Sequence, residues 1–290
     1  MIDRDSIPRP PELIRRIPVT ANQILLALVL FNLFAMTGDV AIAHAFNEFA
    51  FDTQYMPFVV GGFAALSTVI VIPREHSTWR RALFMLGMWL TVFLGVIGFW
   101  WHLESQVIWR GWFSLKTYVY TAPLVAPLAY TGVAFIGLVV IKRSGFLFGV
   151  EARRWLYALI AGGSFGNASL SILDHARNGF IHPAEWVPIP VTIFAGVAFL
   201  WVAFRPRLTG VVQVTLWLAI VLQIVVGTIG WLLHVYGNLT AETGDVLHKI
   251  IYGPPIFSPL LLADIATFGI AALLFTFTYE REFLERSPAR

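Results

Sequence analysis

The chain has 290 residues, of which 58% are hydrophobic and 13% charged, with a mean hydropathy of +0.73. A water-soluble domain carries about 25% charged residues, so a globule of this length cannot hide so much apolar surface, and the composition indicates an integral membrane protein in contact with a lipid bilayer. The absence of cysteine excludes disulfides and thiolate chemistry, and the net charge of +3 is placed in short connections rather than in a patch that would bind nucleic acid.

Residues 1–20 are polar and proline-rich (Ile7-Pro8-Arg9-Pro10-Pro11) and lack the short apolar core and cleavage site of a signal peptide. They are expected to remain as a cytoplasmic N-terminal segment. Crossing a bilayer takes about 20 apolar residues in a helix that satisfies its own backbone hydrogen bonds. Eight stretches qualify: 21–43, 55–73, 82–102, 118–141, 153–174, 186–204, 210–234 and 251–278. The fold expected is an all-α polytopic membrane protein with eight transmembrane helices, followed by a cytoplasmic tail at 279–290.

The connections alternate in charge. Of the 20 basic residues, only Arg110, Lys116, Arg177 and Lys249 lie in one set of loops. The remainder, among them Arg15, Arg74, Arg81, Arg143, Arg153, Arg205 and Arg281, fall in the other set. The positive-inside rule puts the second set in the cytoplasm. Both termini are then cytoplasmic, and the expected location is the plasma (inner) membrane.

The chain also carries an internal repeat. A shift of 132 residues lays Gly95, Gly98, His102, Tyr120, Pro123 and Pro127 on Gly227, Gly230, His234, Tyr252, Pro255 and Pro259. A shift of 131 lays His44, Asn47, Phe49 and Pro57 on His175, Asn178, Phe180 and Pro188. Two four-helix repeats, 21–145 and 146–278, are therefore expected in one membrane domain. Each crosses the membrane an even number of times, so the two run parallel about a pseudo-two-fold axis along the membrane normal.

The repeat places His44, His102, His175 and His234 where odd-numbered spans reach the outer surface. Neutral imidazole is the commonest protein metal ligand. A first expectation is therefore a metal site made by these four histidines, with Asp174 and Glu185 as ligands or supporting groups. Mixed nitrogen and oxygen donors suit iron, copper, zinc or manganese, and the chemistry expected is that of a membrane oxidoreductase. A histidine at a helix end also serves as a plain hydrogen-bonding group, and that reading stands beside the ligand reading. His76 lies in a cytoplasmic loop and reads as solvated. The paired prolines fall in the first turns of even spans, where they either start a helix or kink it.

Trp101, Tyr120 and Tyr252 belong to an aromatic band at the outer end. Such a band anchors a protein at the membrane interface, or it walls a flat cofactor, a quinone or another lipid-soluble substrate. Two further functions fit the pattern. One is haem binding, with two histidines per half clamping the iron. The four-plus-four layout with paired outer histidines resembles that of haem A synthases at the level of architecture, although the histidines here end odd spans and no motif of that family is present. The other is transport of protons, metal ions or small solutes, with Asp264 as an intramembrane relay. A role as a subunit of a larger membrane complex is also compatible with the sequence.

Overall fold

The structure is a computed structural model, and it describes residues 20–107, 114–141, 150–205, 210–242 and 244–286. Most of the N-terminal segment, the end of the tail and the tryptophans at 109 and 112 lie outside these residues. The described residues are almost entirely helical, with no strand among them. Ten α-helices follow in order: α1 Ala21–Ala45, α2 Met56–Val71, α3 Thr78–Val107, α4 Leu115–Tyr120, α5 Leu128–Ile141, α6 Val150–Asn178, α7 Pro188–Ala203, α8 Gly210–Thr240, α9 Val246–Tyr252 and α10 Leu260–Arg286. Short 3-10 turns at Asp52–Tyr55 and Pro183–Trp186 lead into α2 and α7.

Local sequence sets several boundaries. Thr20 caps α1: its hydroxyl accepts from Gln23 N, and the Gln23 side chain accepts from Thr20 N in return, a reciprocal capping box. Asp245 caps α9 by accepting from His248 N at 2.8 Å. Among the described residues, six helical stretches are long and apolar enough to cross a membrane: Asn22–Ala45, Asp52–Arg74, Thr78–Gln106, Glu151–Asn178, Pro183–Ala203 and Gly210–Thr240. Large apolar side chains such as Phe31, Val59, Phe93, Val211 and Leu218 stand exposed along them. A water-facing surface would not carry such a belt, whereas lipid solvates it.

The two remaining apolar stretches differ from the expectation of unbroken spans at 118–141 and 251–278. Each is split into a short helix, an irregular proline-bearing segment (121–127 and 253–259) and a second helix. The cause is local. Pro123 and Pro127, and Pro254, Pro255 and Pro259, cannot donate to a helical ladder and their rings clash with the preceding turn. The apolar helix that follows is Leu128–Ile141 in the first case and Leu260–Leu274, the start of α10, in the second.

Helices α1, α2, α3 and α5 pack as one four-membered ring, and α6, α7, α8 and α10 as another. The rings join through α5 against α6 and α10 against α1. Fully buried Leu25, Leu33, Phe84, Tyr157, Phe199 and Phe268 fill the core. Close approaches rely on glycine. A Cβ on Gly227 would stand 2.8 Å from the Pro259 carbonyl oxygen, and one on Gly98 would stand 2.9 Å from Pro127 Cβ. At one end of the bundle, arginines close helix C-termini: Arg80 donates to Ile70 O, Arg81 to Ile141 O and Arg153 to Arg205 O. His76 is at this end and its side chain is 90% exposed, as expected of a solvated loop residue.

Candidate functional site

The end opposite the arginines carries the four aligned histidines. His44 and His175 lie in the last turns of α1 and α6, and His102 and His234 lie shortly before the ends of α3 and α8. Within each ring of helices, the two histidine-bearing helices are diagonal neighbours. All four residues are half-buried.

α1 and α6 stop in the same way. Phe49 N donates to His44 O at 3.1 Å, and Phe180 N donates to His175 O at 3.0 Å. These are the long-range bonds of a Schellman cap, which needs a left-handed residue just past the helix. That residue is Gly179 (φ 76°) in the second half and Glu48 (φ 56°) in the first. Phe49 and Phe180, both at φ 53°, continue the turn. Their rings swing back to 6.2 Å from the His44 ring and 6.1 Å from the His175 ring. Each phenylalanine also stacks on an aromatic of the following 3-10 turn, Phe49 on Tyr55 and Phe180 on Trp186.

His102 Nδ1 lies 2.9 Å from Pro123 O, and His234 Nδ1 lies 2.8 Å from Pro255 O. A carbonyl only accepts, so Nδ1 carries a hydrogen in both rings, and Nε2 is the acceptor nitrogen of the neutral tautomer. The neighbouring carbonyls are held too. Gln106 donates to Ala122 O at 2.8 Å and Asn238 donates to Pro254 O at 2.8 Å. The proline segments free these carbonyls from helical bonding, and the side chains one turn apart on α3 and α8 take them up. Sequence reasoning passed over Gln106 and the bonding role of Asn238. The two fall on one another at the same 132-residue shift, which was the available signal.

His175 Nδ1 faces Glu185 Oε2 at 3.7 Å, too long for a hydrogen bond. Glu185 Oε1 accepts from Asn178 at 3.1 Å, while its Oε2 is buried without a hydrogen-bond partner. His44 Nδ1 is buried without a hydrogen-bond partner among the described residues. In the rings of His102, His175 and His234, then, Nδ1 is turned to a carbonyl or carboxylate, and no hydrogen bond to Nε2 of any of the four exists among the described residues.

One pair of rings is in contact. His175 and His234 stand with centroids 6.4 Å apart and planes at 89°, and His102 is the imidazole electrostatically coupled to His44. Among the described residues no three His, Asp or Glu side chains are placed to hold one metal ion. Asp174 sits beside the second pair, within electrostatic range of His175, His234 and Arg177, and accepts from Ser258 at 3.0 Å. The positions matching Asp174 and Glu185 in the first half are Ala43 and Gln54, so the two pairs differ in nearby charge. Trp101 is half-buried, whereas Tyr120 and Tyr252 are exposed, the latter packed on Phe46 and His248.

Asp264, expected inside the membrane, lies on α10 and accepts from Asn32 Nδ2 on α1 at 2.9 Å. Asn167 on α6 donates to Leu261 O on α10 at 2.9 Å. The first bond crosses the junction between the two rings, and the second joins two helices of the second ring. No protein-family model, curated protein or solved structure matches this chain.

Proposed function

We propose that this chain is a membrane haem protein built from a duplicated four-helix unit, in which His44 with His102 and His175 with His234 each clamp one iron porphyrin. The observation that carries the reading is the His175–His234 pair, with centroids 6.4 Å apart. Rings at that separation would each offer one nitrogen to an iron bound between them. The donor count points the same way. A bare ion needs three or four protein ligands, whereas a porphyrin supplies four nitrogens and asks the protein for two. Backbone acceptors on Nδ1 of His102 and His234 supply the orienting partner that ligating histidines use.

The duplication is supported by contacts that recur at the same offset: histidine to proline carbonyl, amide to the preceding carbonyl, glycine against proline, and phenylalanine folded back on histidine. The eight-crossing arrangement follows if each proline-broken segment completes its crossing with the short helix after it. The arginine distribution supports cytoplasmic termini in a plasma membrane, with the histidine end facing outward. Bound haem supplies one-electron chemistry, and a quinol-like or other lipid-soluble partner would reach the aromatic band from the membrane.

A second reading rests on Asp174 and Glu185. They flank only the second pair, where side-chain movement would complete a mixed nitrogen and oxygen site for iron, copper, zinc or manganese. One experiment separates the two readings: the optical spectrum and metal content of the purified full-length protein. A Soret band with iron near two per chain is expected. A colourless protein with one stoichiometric metal selects the second reading, and a protein with neither refutes both.

A further inference from the structure

The end of α4 and the broken segment after it carry carbonyls that the helix itself does not satisfy. Pro123 has no N–H, so Val119 O, four residues earlier, loses its helical donor, and Val119 is buried. Arg177 supplies the missing hydrogen from α6. Its Nε donates to Val119 O and its Nη2 to Thr121 O, both at 2.9 Å. Gln106 holds the next carbonyl, Ala122 O, at 2.8 Å, and His102 Nδ1 bonds to the one after, Pro123 O, at 2.9 Å. The successive carbonyls of Thr121, Ala122 and Pro123 are thus each held by a side chain, and the last of them orients His102.

The arginine belongs to the other half of the molecule. α4 packs on α6 of the second half and α9 packs on α1 of the first, so each half lays its short helix across the other. Tyr118 OH, 2.7 Å from Ser169 Oγ, is a second tie between α4 and α6. The exchange is mutual, but its chemistry is not. At the 131-residue shift Arg177 falls on Phe46, whose ring packs on Tyr252 at the end of α9 with centroids 5.3 Å apart. A phenyl ring donates no hydrogen bond, and no side-chain hydrogen bond to Gly253 O, the match of Thr121 O, exists among the described residues. A guanidinium suits the first half because its donors form a rigid planar fork that serves two acceptors at once, which an ammonium group does not reproduce.

We propose that Arg177 is the positioning residue of His102: acting from the second half, it fixes the run of carbonyls that turns the first-half imidazole, whereas His234 is set without such a clamp. Removing the guanidinium frees Val119 O and Thr121 O, lets the segment from Thr121 to Pro123 shift, and loosens the Nδ1–H bond of His102. Arg177 lies two residues after His175 on α6. The helix end that carries one histidine of the second pair therefore also steadies a histidine of the first. The inference concerns how the ring is held and does not depend on haem being bound.

Nuclear magnetic resonance of the full chain in lipid nanodiscs, with isotope-labelled histidine, tests it through the exchange of imidazole Nδ1 hydrogens with water. Reducing conditions keep any bis-histidine haem diamagnetic, and His102→Gln and His234→Gln assign the two signals by their loss. Arg177→Met is expected to speed exchange at His102 about tenfold, the equivalent of one lost hydrogen bond, and to leave His234 unchanged. Lys116→Met, which removes a neighbouring positive charge on α4, is expected to leave both signals unchanged. The proposal is overturned if exchange at His102 does not change, if it rises equally at His234, or if Lys116→Met has the same effect. Should Arg177→Met fail to fold, Arg177→Lys, which keeps the charge but not the fork, is held to the same outcomes. A protein without haem in which the substitution acts on His102 alone keeps this inference and loses the haem reading, and a haem-bearing protein with unchanged exchange does the reverse.

Discussion

The imidazoles of His175 and His234, on diagonal helices, meet edge-on with centroids 6.4 Å apart and planes at 89°. They lie 59 residues apart in sequence, and neither belongs to a short motif. The proximity arises because α6 stops at a Schellman cap just past His175, while α8 runs past His234 to reach the proline segment that bonds it. Were a haem held there, His175 and His234 would each supply one imidazole nitrogen to its iron.

If each half holds one haem, single substitutions remove one and leave the other. His234→Ala is expected to halve the haem per chain, His102→Ala to do the same, and the double variant to abolish it. His76→Ala, at the opposite and exposed end, is expected to retain full haem. Haem content per polypeptide, measured on the pyridine complex, checks all four. Full retention in the double variant would sink the proposal.

Gln106 and Asn238 hold the carbonyls next to those that orient His102 and His234. Replacing either by leucine leaves a buried acceptor unpaired, at a cost of about 1–3 kcal/mol. Asn238→Leu is expected to lower the midpoint of chemical denaturation and to broaden the spectrum of the second-half haem only. An unchanged spectrum with lowered stability would limit Asn238 to a structural role.

Glu48 occupies a left-handed position that its counterpart, Gly179, fills without strain. A side chain there costs about 1 kcal/mol or slightly more. Glu48→Gly is expected to stabilise the protein by about that amount and Gly179→Ala to destabilise it similarly. Thermal unfolding in a fixed detergent measures both, and the two shifts should have opposite sign.

The close helix contacts predict a contrast between glycines. A Cβ on Gly227 would press on backbone, 2.8 Å from Pro259 O and 3.0 Å from Ala263 N, whereas nothing lies within 4 Å of one on Gly162. Gly227→Ala is expected to cost about 1–3 kcal/mol. Gly162→Ala is expected to be neutral or to stabilise by up to about 1 kcal/mol, because alanine favours helix. Equal effects on unfolding midpoints would contradict the packing described.

Much of this protein could be read in one dimension. Composition and the length of apolar runs identify membrane-spanning helices, because lipid forces each helix to satisfy its own backbone and leave apolar side chains outside. The repeated histidine, asparagine, glycine and proline offsets marked the residues that the bundle gathers at one end. The same prolines were read as starts or kinks of continuous spans. Whether a proline bends a helix or ends it depends on what receives the freed carbonyls, and here His102, Gln106, His234 and Asn238 do so from other helices.

Sequence alone therefore determined that this chain carries helices long and apolar enough to cross a membrane, since that depends on polarity summed along the chain. Only the tertiary structure decided that His175 meets His234, that Asp264 meets Asn32, and that carbonyls of broken helices aim the rings of His102 and His234. Those relationships join residues from about 20 to more than 230 positions apart. Helix crossing geometry and side-chain packing, rather than local pattern, bring them to within bonding distance.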